Sequence, residues 1–145
     1  MGNRAVITTE KDWAKPESGI GIYLHWNGGR DSVEAFLTYC KIKGYRAPET
    51  DDYGWASLAT VITNYFGADG LSIGINTLDR LDCNNGDNGV YIIEDWKIID
   101  RRFFDGRTEQ SGYELKDMLM EIDWHMPAGA QAGRKAIEDY VKEVQ

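Results

Sequence analysis

Two apolar, β-branched runs, Val90-Tyr91-Ile92-Ile93 and Lys97-Ile98-Ile99-Asp100, stand three residues apart across Glu94-Asp95-Trp96. Such a pair reads as an antiparallel hairpin, with a turn that is not of the Asn-Gly type. Arg101 to Phe104 extends its second arm. The rest of the fold has to be built around this hairpin.

Upstream, Arg4 to Thr9 reads as a first strand, and Lys11 to Gly19, with Pro16, as a polar loop. Ile20 to Trp26 is a second strand with two faces: Ile20, Ile22, Leu24 and Trp26 on one, Gly21, Tyr23 and His25 on the other. That register sets His25 beside Tyr23, opposite the core. Asp31-Ser32-Val33-Glu34 resembles a capping box opening a helix to about Lys43, with Val33, Phe36, Leu37 and Cys40 at core spacing and Gly44 as the stop. A second helix, Asp52 to Phe66, carries Trp55, Leu58, Ala59, Ile62 and Phe66 on one side. Leu71 to Asn76 is another strand, and Leu78 to Gly89 an irregular polar loop. After the hairpin, Ser111-Gly112-Tyr113-Glu114 reads as a second capping box ahead of a helix bearing Leu115, Met118, Leu119 and Ile122. Pro127 breaks it, and Ala130 to Val144 forms the last helix. Strands and helices do not alternate throughout, so a doubly wound sheet is excluded. The expectation is one α+β domain over residues 1–145, an antiparallel sheet of about five strands with helices on one face.

With 145 residues and 42% hydrophobic content, the chain suits one domain with a real core. Its formal charge of −8 argues against direct nucleic-acid binding, which needs a surplus of Lys and Arg. Cys40 and Cys83 belong to no metal or CxxC pattern, so the expected compartment is the reducing cytoplasm. No apolar run is long enough to span a bilayer, MGNRAVITTE has no signal-peptide core, and Val6 stands where a myristoylation signal wants Ser or Thr.

The densest chemistry is Tyr23-Leu24-His25-Trp26-Asn27-Gly28-Gly29-Arg30, where a strand gives way to a helix. Such junctions free backbone N–H groups and converge side chains. Trp26 suits stacking, Arg30 an anion, and His25 and Asn27 directional hydrogen bonds. A tight turn with Trp26 in the core explains the glycines equally well. The candidate ligand-binding set adds Tyr53, Trp55, Asn85 and Asp87. Asp82 and Asn84 match the first and third places of a calcium loop, but Gly86, Asp87 and Ile93 break the pattern. Cys83 lies in an acidic loop, which disfavours a reactive thiolate. No catalytic set, metal site or cofactor is expected.

Four segments, Gly2-Asn3-Arg4-Ala5-Val6-Ile7, Tyr23 to Gly28, Tyr53-Gly54-Trp55-Ala56 and Gly86-Asp87-Asn88-Gly89-Val90-Tyr91, resemble a family of small uncharacterised proteins carried by bacteriophages, plasmids and their bacterial hosts. The resemblance covers roughly residues 2 to 100. More loosely, the chain is similar to phage and archaeal sequences with His-Trp-Asp-Gly before a helix, where Asn27 replaces the aspartate. What the resemblance implies is a non-enzymatic accessory protein that binds and inhibits or sequesters a host component, anti-CRISPR-like inhibitors being one prominent class. From the residues themselves come two alternatives. One is a pocket for a nucleotide or small anion at His25–Arg30; the other is a hydrolase or transferase pairing His25 with Asp87.

Overall fold

The computed structural model describes residues 2–68, 71–106, 109 and 112–144. In chain order the elements are β1 (Ala5–Thr8), β2 (Ile20–Leu24), α1 (Arg30–Ile42), α2 (Asp52–Tyr65), β3 (Ile73–Thr77), β4 (Val90–Glu94), β5 (Lys97–Arg102), α3 (Leu115–His125) and α4 (Arg134–Val144). This is the expected α+β order. The five strands form one sheet in the order β3-β2-β1-β4-β5. It is mixed, which corrects the expectation of a purely antiparallel sheet: β1 and β4 run parallel, Val6 beside Val90 and Thr8 beside Ile92. The three other pairings are antiparallel. β3 runs in the same direction as β1, and residues 78–89 carry the chain from the β3 edge across to the far side of β1, a crossover long enough to lay β4 along β1 in parallel.

The helices occupy one face. Phe36, Leu37 and Cys40 of α1, Leu58 and Ile62 of α2, Met118 and Ile122 of α3, and Ile137 of α4 pack with Ile7, Ile22, Leu24, Tyr91 and Ile93 in one buried cluster. The other face carries a smaller cluster of Val6, Val90 and Ile92, covered by Leu78, Cys83 and Trp13 from loops. Alternate residues of β1, β2 and β4 therefore feed two unequal cores. Cys40 is fully buried, and burial pushes its thiol up.

Several boundaries differ from the sequence reading. β2 stops at Leu24, short of Trp26, because Asn27 turns the chain with a φ of 57°. α1 begins at Arg30 with Gly29 as its cap; Asp31 bonds the next N–H, of Ser32, and Glu34 pairs with Arg30, so no capping box forms there. Leu71 lies outside β3, 85% exposed. Of the second box, Ser111 lies outside the described residues; α3 starts at Leu115, capped by Glu114 without a side-chain bond. Ala130 closes a short 3-10 turn, and α4 starts at Arg134.

The hairpin turn holds the strangest backbone of the fold. Asp95 and Trp96 have φ of 49° and 62°, the left-handed pair of a type I′ turn that usually takes Asn-Gly. What offsets the strain is Trp96 itself, 4% exposed, with its indole N–H donating to the Tyr45 carbonyl at 2.9 Å.

Candidate functional site

Tyr23 of β2 and His25, one residue past the strand's end, lie on the face away from the helices, as the two-face register requires. The Tyr23 hydroxyl and His25 Nδ1 are 3.0 Å apart. Beside them stands Arg4, whose backbone N–H and Nε both donate to Asp87 Oδ2, at 3.0 and 2.8 Å, with Asp82 3.5 Å from the guanidinium. The bond to Asp87 holds the Arg4 guanidinium above its usual range. Burial raises the Tyr23 phenol, and the positive Arg4 opposes that rise. One polar cluster thus gathers Arg4, Tyr23, His25, Asp82 and Asp87.

After His25 the chain changes sides. Trp26 is 43% exposed, its ring edge-on to His25 with centroids 4.8 Å apart. Core filling by Trp26 is therefore excluded. Asn27 turns to the helix layer, where its side-chain N–H group donates to the hydroxyls of Ser32, Tyr65 and Tyr113 at 3.3 to 3.5 Å. Arg30 reaches along α1 to Glu34 at 2.8 Å, an exposed i,i+4 pair.

Gly28 is the pivot between the two sides. Its N–H donates to the Asn3 carbonyl at 2.8 Å, and its carbonyl accepts the Tyr91 hydroxyl at 2.6 Å. A Cβ at this position would lie 2.4 Å from the Asn3 carbonyl oxygen, so only glycine lets the strands approach. Asp31 then accepts from the backbone N–H groups of Gly112 and Tyr113 at 2.7 and 2.9 Å.

The loop before β4 is spent on the chain. Asn85 accepts from the N–H groups of Asp87 and Gly89 and donates to the carbonyls of Asp82 and Gly89. Asn88 donates to the Asn3 side chain and the Arg4 carbonyl. Asn85, a candidate ligand contact in the sequence, is 4% exposed with its amide engaged by the loop backbone. Cys83 donates to the Leu78 carbonyl at 3.4 Å, and burial with the neighbouring Asp82 pushes its thiol up, away from nucleophilic use.

The structure brings His25, Trp26 and Asp87 to one neighbourhood and does not bring Tyr53 and Trp55 there. Both open α2, whose other end, at Tyr65, is the one that meets Asn27. A rise of about 1.5 Å per residue leaves them about 15–18 Å from Tyr65 along the helix. Tyr53 stacks under Arg46 instead, 4.9 Å from guanidinium to ring centroid. A groove of about 270 Å³ lies between α1, β5 and α4, with Leu37, Trp96, Ile98 and Tyr140 among its walls and none of the candidate residues, and a shallower one of about 290 Å³ is lined by Tyr53 with Tyr45 and Arg46. His25, Asn27 and Arg30 thus bond in three directions, to Tyr23, to the helix layer and along α1 to Glu34. Sequence reasoning missed Arg4, Tyr65, Tyr91 and Tyr113, which are remote in the chain from the junction. Only the two-face pattern of β2 announced Tyr23.

Among the described residues, no helix is long and apolar enough to cross a membrane, and no three His, Cys, Asp or Glu side chains group as a metal site. Compared with known protein families, curated proteins and solved structures, the chain matches none.

Proposed function

We propose that this chain is a non-enzymatic binding protein, of phage or mobile-element origin, which docks on a host protein through the strand-to-helix junction and inhibits or sequesters it. Trp26 carries the reading. The polar members of the junction bond to one another, His25 to Tyr23, Asn27 to Ser32 and Tyr65, Arg30 to Glu34 and Asp87 to Arg4, while the indole between them is left exposed. An exposed Trp on a turn fixed from both sides by Gly28 loses little freedom on binding, and such residues anchor interfaces. Tyr113, 45% exposed beside Asn27, adds a second aromatic. The acidic balance suits a basic partner surface.

Host defence nucleases are the partner class that the resemblance favours. The test mixes purified chain with a panel of such effectors and measures cleavage, with Trp26→Ala alongside. The expected result is inhibition of one effector that falls at least tenfold in the variant. Undiminished cleavage throughout, or inhibition indifferent to Trp26→Ala, refutes the reading.

A further inference from the structure

The two edges of the sheet are guarded very differently. β5 carries Lys97, Asp100, Arg101 and Arg102, and its pairing with β4 is interrupted by a register shift at Ile92/Ile93. Charges and bulges of that kind discourage another strand from adding to an edge. β3, at the opposite edge, carries neither. Residues 70–78 read Gly-Leu-Ser-Ile-Gly-Ile-Asn-Thr-Leu, a charge-free run in a chain of net charge −8.

The hydrogen bonding of β3 identifies the groups it offers. The His25 N–H donates to the Ser72 carbonyl and the Leu78 N–H to the Gly19 carbonyl, so the even-numbered residues of this segment turn their peptide groups toward β2. Ile73 and Ile75 therefore direct their N–H and C=O groups outward. Thr77 directs its own the same way, but its N–H is taken by the Asn76 side chain at 2.8 Å. The side chains of Ile73 and Ile75 share the helix face with their neighbours Leu24 and Ile22. Ile73 is partly covered by the core, whereas Ile75 remains 55% exposed.

The geometry points to a second copy of this chain as the occupant of that edge, paired antiparallel, β3 against β3, about a two-fold axis at Gly74. In this register Ile73 of each copy faces Ile75 of the other, and all four outward groups of the two isoleucines are satisfied. An axis at Ile75 would instead spend one pair on the blocked Thr77. A two-fold contact requires one surface to complement itself, as these alternating donors and acceptors do. Two chains of net charge −8 can also approach best where neither carries charge. The product is a continuous ten-stranded sheet with Ile75 covered. Five-residue strands bury less than the roughly 1,200 Å² of a stable interface, so the dimer is weak and concentration-dependent.

Gly74 supplies the decisive test. Gly74 faces itself across the axis in a non-hydrogen-bonded pair, where Cα atoms stand about 4.5 Å apart, within disulfide range. A Cβ there meets no atom within 4 Å, and the native thiols Cys40 and Cys83 are buried. Under mild oxidation Gly74→Cys should form a covalent dimer at least tenfold faster than Ser72→Cys, whose opposite residue is Asn76. In sedimentation the parent's mass should rise with concentration toward twice 16.4 kDa, while Ile75→Lys stays monomeric with an unchanged melting temperature. Equal cross-linking of the two cysteine variants, a parent that stays monomeric at millimolar concentration, or an Ile75→Lys variant that still dimerises overturns the proposal. So does protection of the Ile73 and Ile75 amides from exchange only when another protein is added.

Discussion

Replacing Tyr91 by phenylalanine removes one oxygen from the interior and leaves the ring in place. Tyr91 is 0% exposed, and its hydroxyl donates to the buried Gly28 carbonyl at 2.6 Å. Without the hydroxyl, that carbonyl is left as an unpaired acceptor. An orphaned buried polar group costs about 1–3 kcal/mol, and the Arg101 guanidinium stacked 4.1 Å from the ring centroid is untouched by the change. The expected loss is about 2 kcal/mol, a large part of the roughly 5–15 kcal/mol that holds a domain together. For a chain near 150 residues it lowers the melting temperature by about 4–8 °C. Urea unfolding followed by tryptophan fluorescence measures it, with the dependence on urea unchanged because the same surface is exposed. Gly28→Ala is the companion variant. Its Cβ would strike the Asn3 carbonyl, so it should lose more than Tyr91→Phe. If Tyr91→Phe is within about 0.5 kcal/mol of the parent, below the cost of an orphaned group, the Gly28 turn is not held from inside the core and Trp26 is not rigidly presented.

Two further outcomes follow from buried polar groups. Asp123, 8% exposed, accepts from the Tyr39 hydroxyl at 2.6 Å and the Ala132 N–H at 2.7 Å, tying α3 to the approach to α4. Asp123→Ala should cost about 3 kcal/mol in urea unfolding, and a double-mutant cycle with Tyr39→Phe should show strong non-additivity; additive losses would refute the linkage. Burial raises the phenols of Tyr39, Tyr65 and Tyr91 above the usual tyrosine value near 10, so the folded state holds these protons more tightly. Their stabilising share is complete below about pH 10 and is lost as pH climbs toward the folded values. Circular dichroism melts should therefore fall steeply above pH 10, and less steeply in Tyr91→Phe. Equal melting temperatures at pH 8 and pH 11 would contradict this.

Local chemistry made most elements readable. Phe36, Leu37 and Cys40 recur at helical spacing and are buried, and the β-branched runs around Glu94 to Trp96 do form a hairpin. The parallel contact between β1 and β4 was invisible, because strand pairing depends on which backbone the chain returns to and not on the content of either strand. The Asp31 box failed for a similar reason. Glu34 had a nearer partner in Arg30, and Asp31 was claimed by the backbone of Gly112 and Tyr113. At the candidate site the segment could be picked out by its residues, and His25 could be set beside Tyr23 by alternation alone. The division at Asn27 could not be foreseen. A single left-handed residue sends Trp26 to solvent and the next side chain to the helices, and Asn adopts that conformation too readily for its presence to announce it.

The place of β1 in the middle of the sheet has a consequence for how the chain is made. β1 is made before the other strands and acquires β2 soon after, but its other side has no neighbour until Val90 to Ile92 arrive, together with the Arg4–Asp87 and Asn3–Asn88 bonds that pin the strand ends. Any product ending before β4 carries Ala5, Val6 and Ile7 on an open interior edge, with part of each core missing. Partial chains of this protein are therefore sticky, not merely incomplete, and synthesis must run past the hairpin before the molecule can be left alone in a crowded cell.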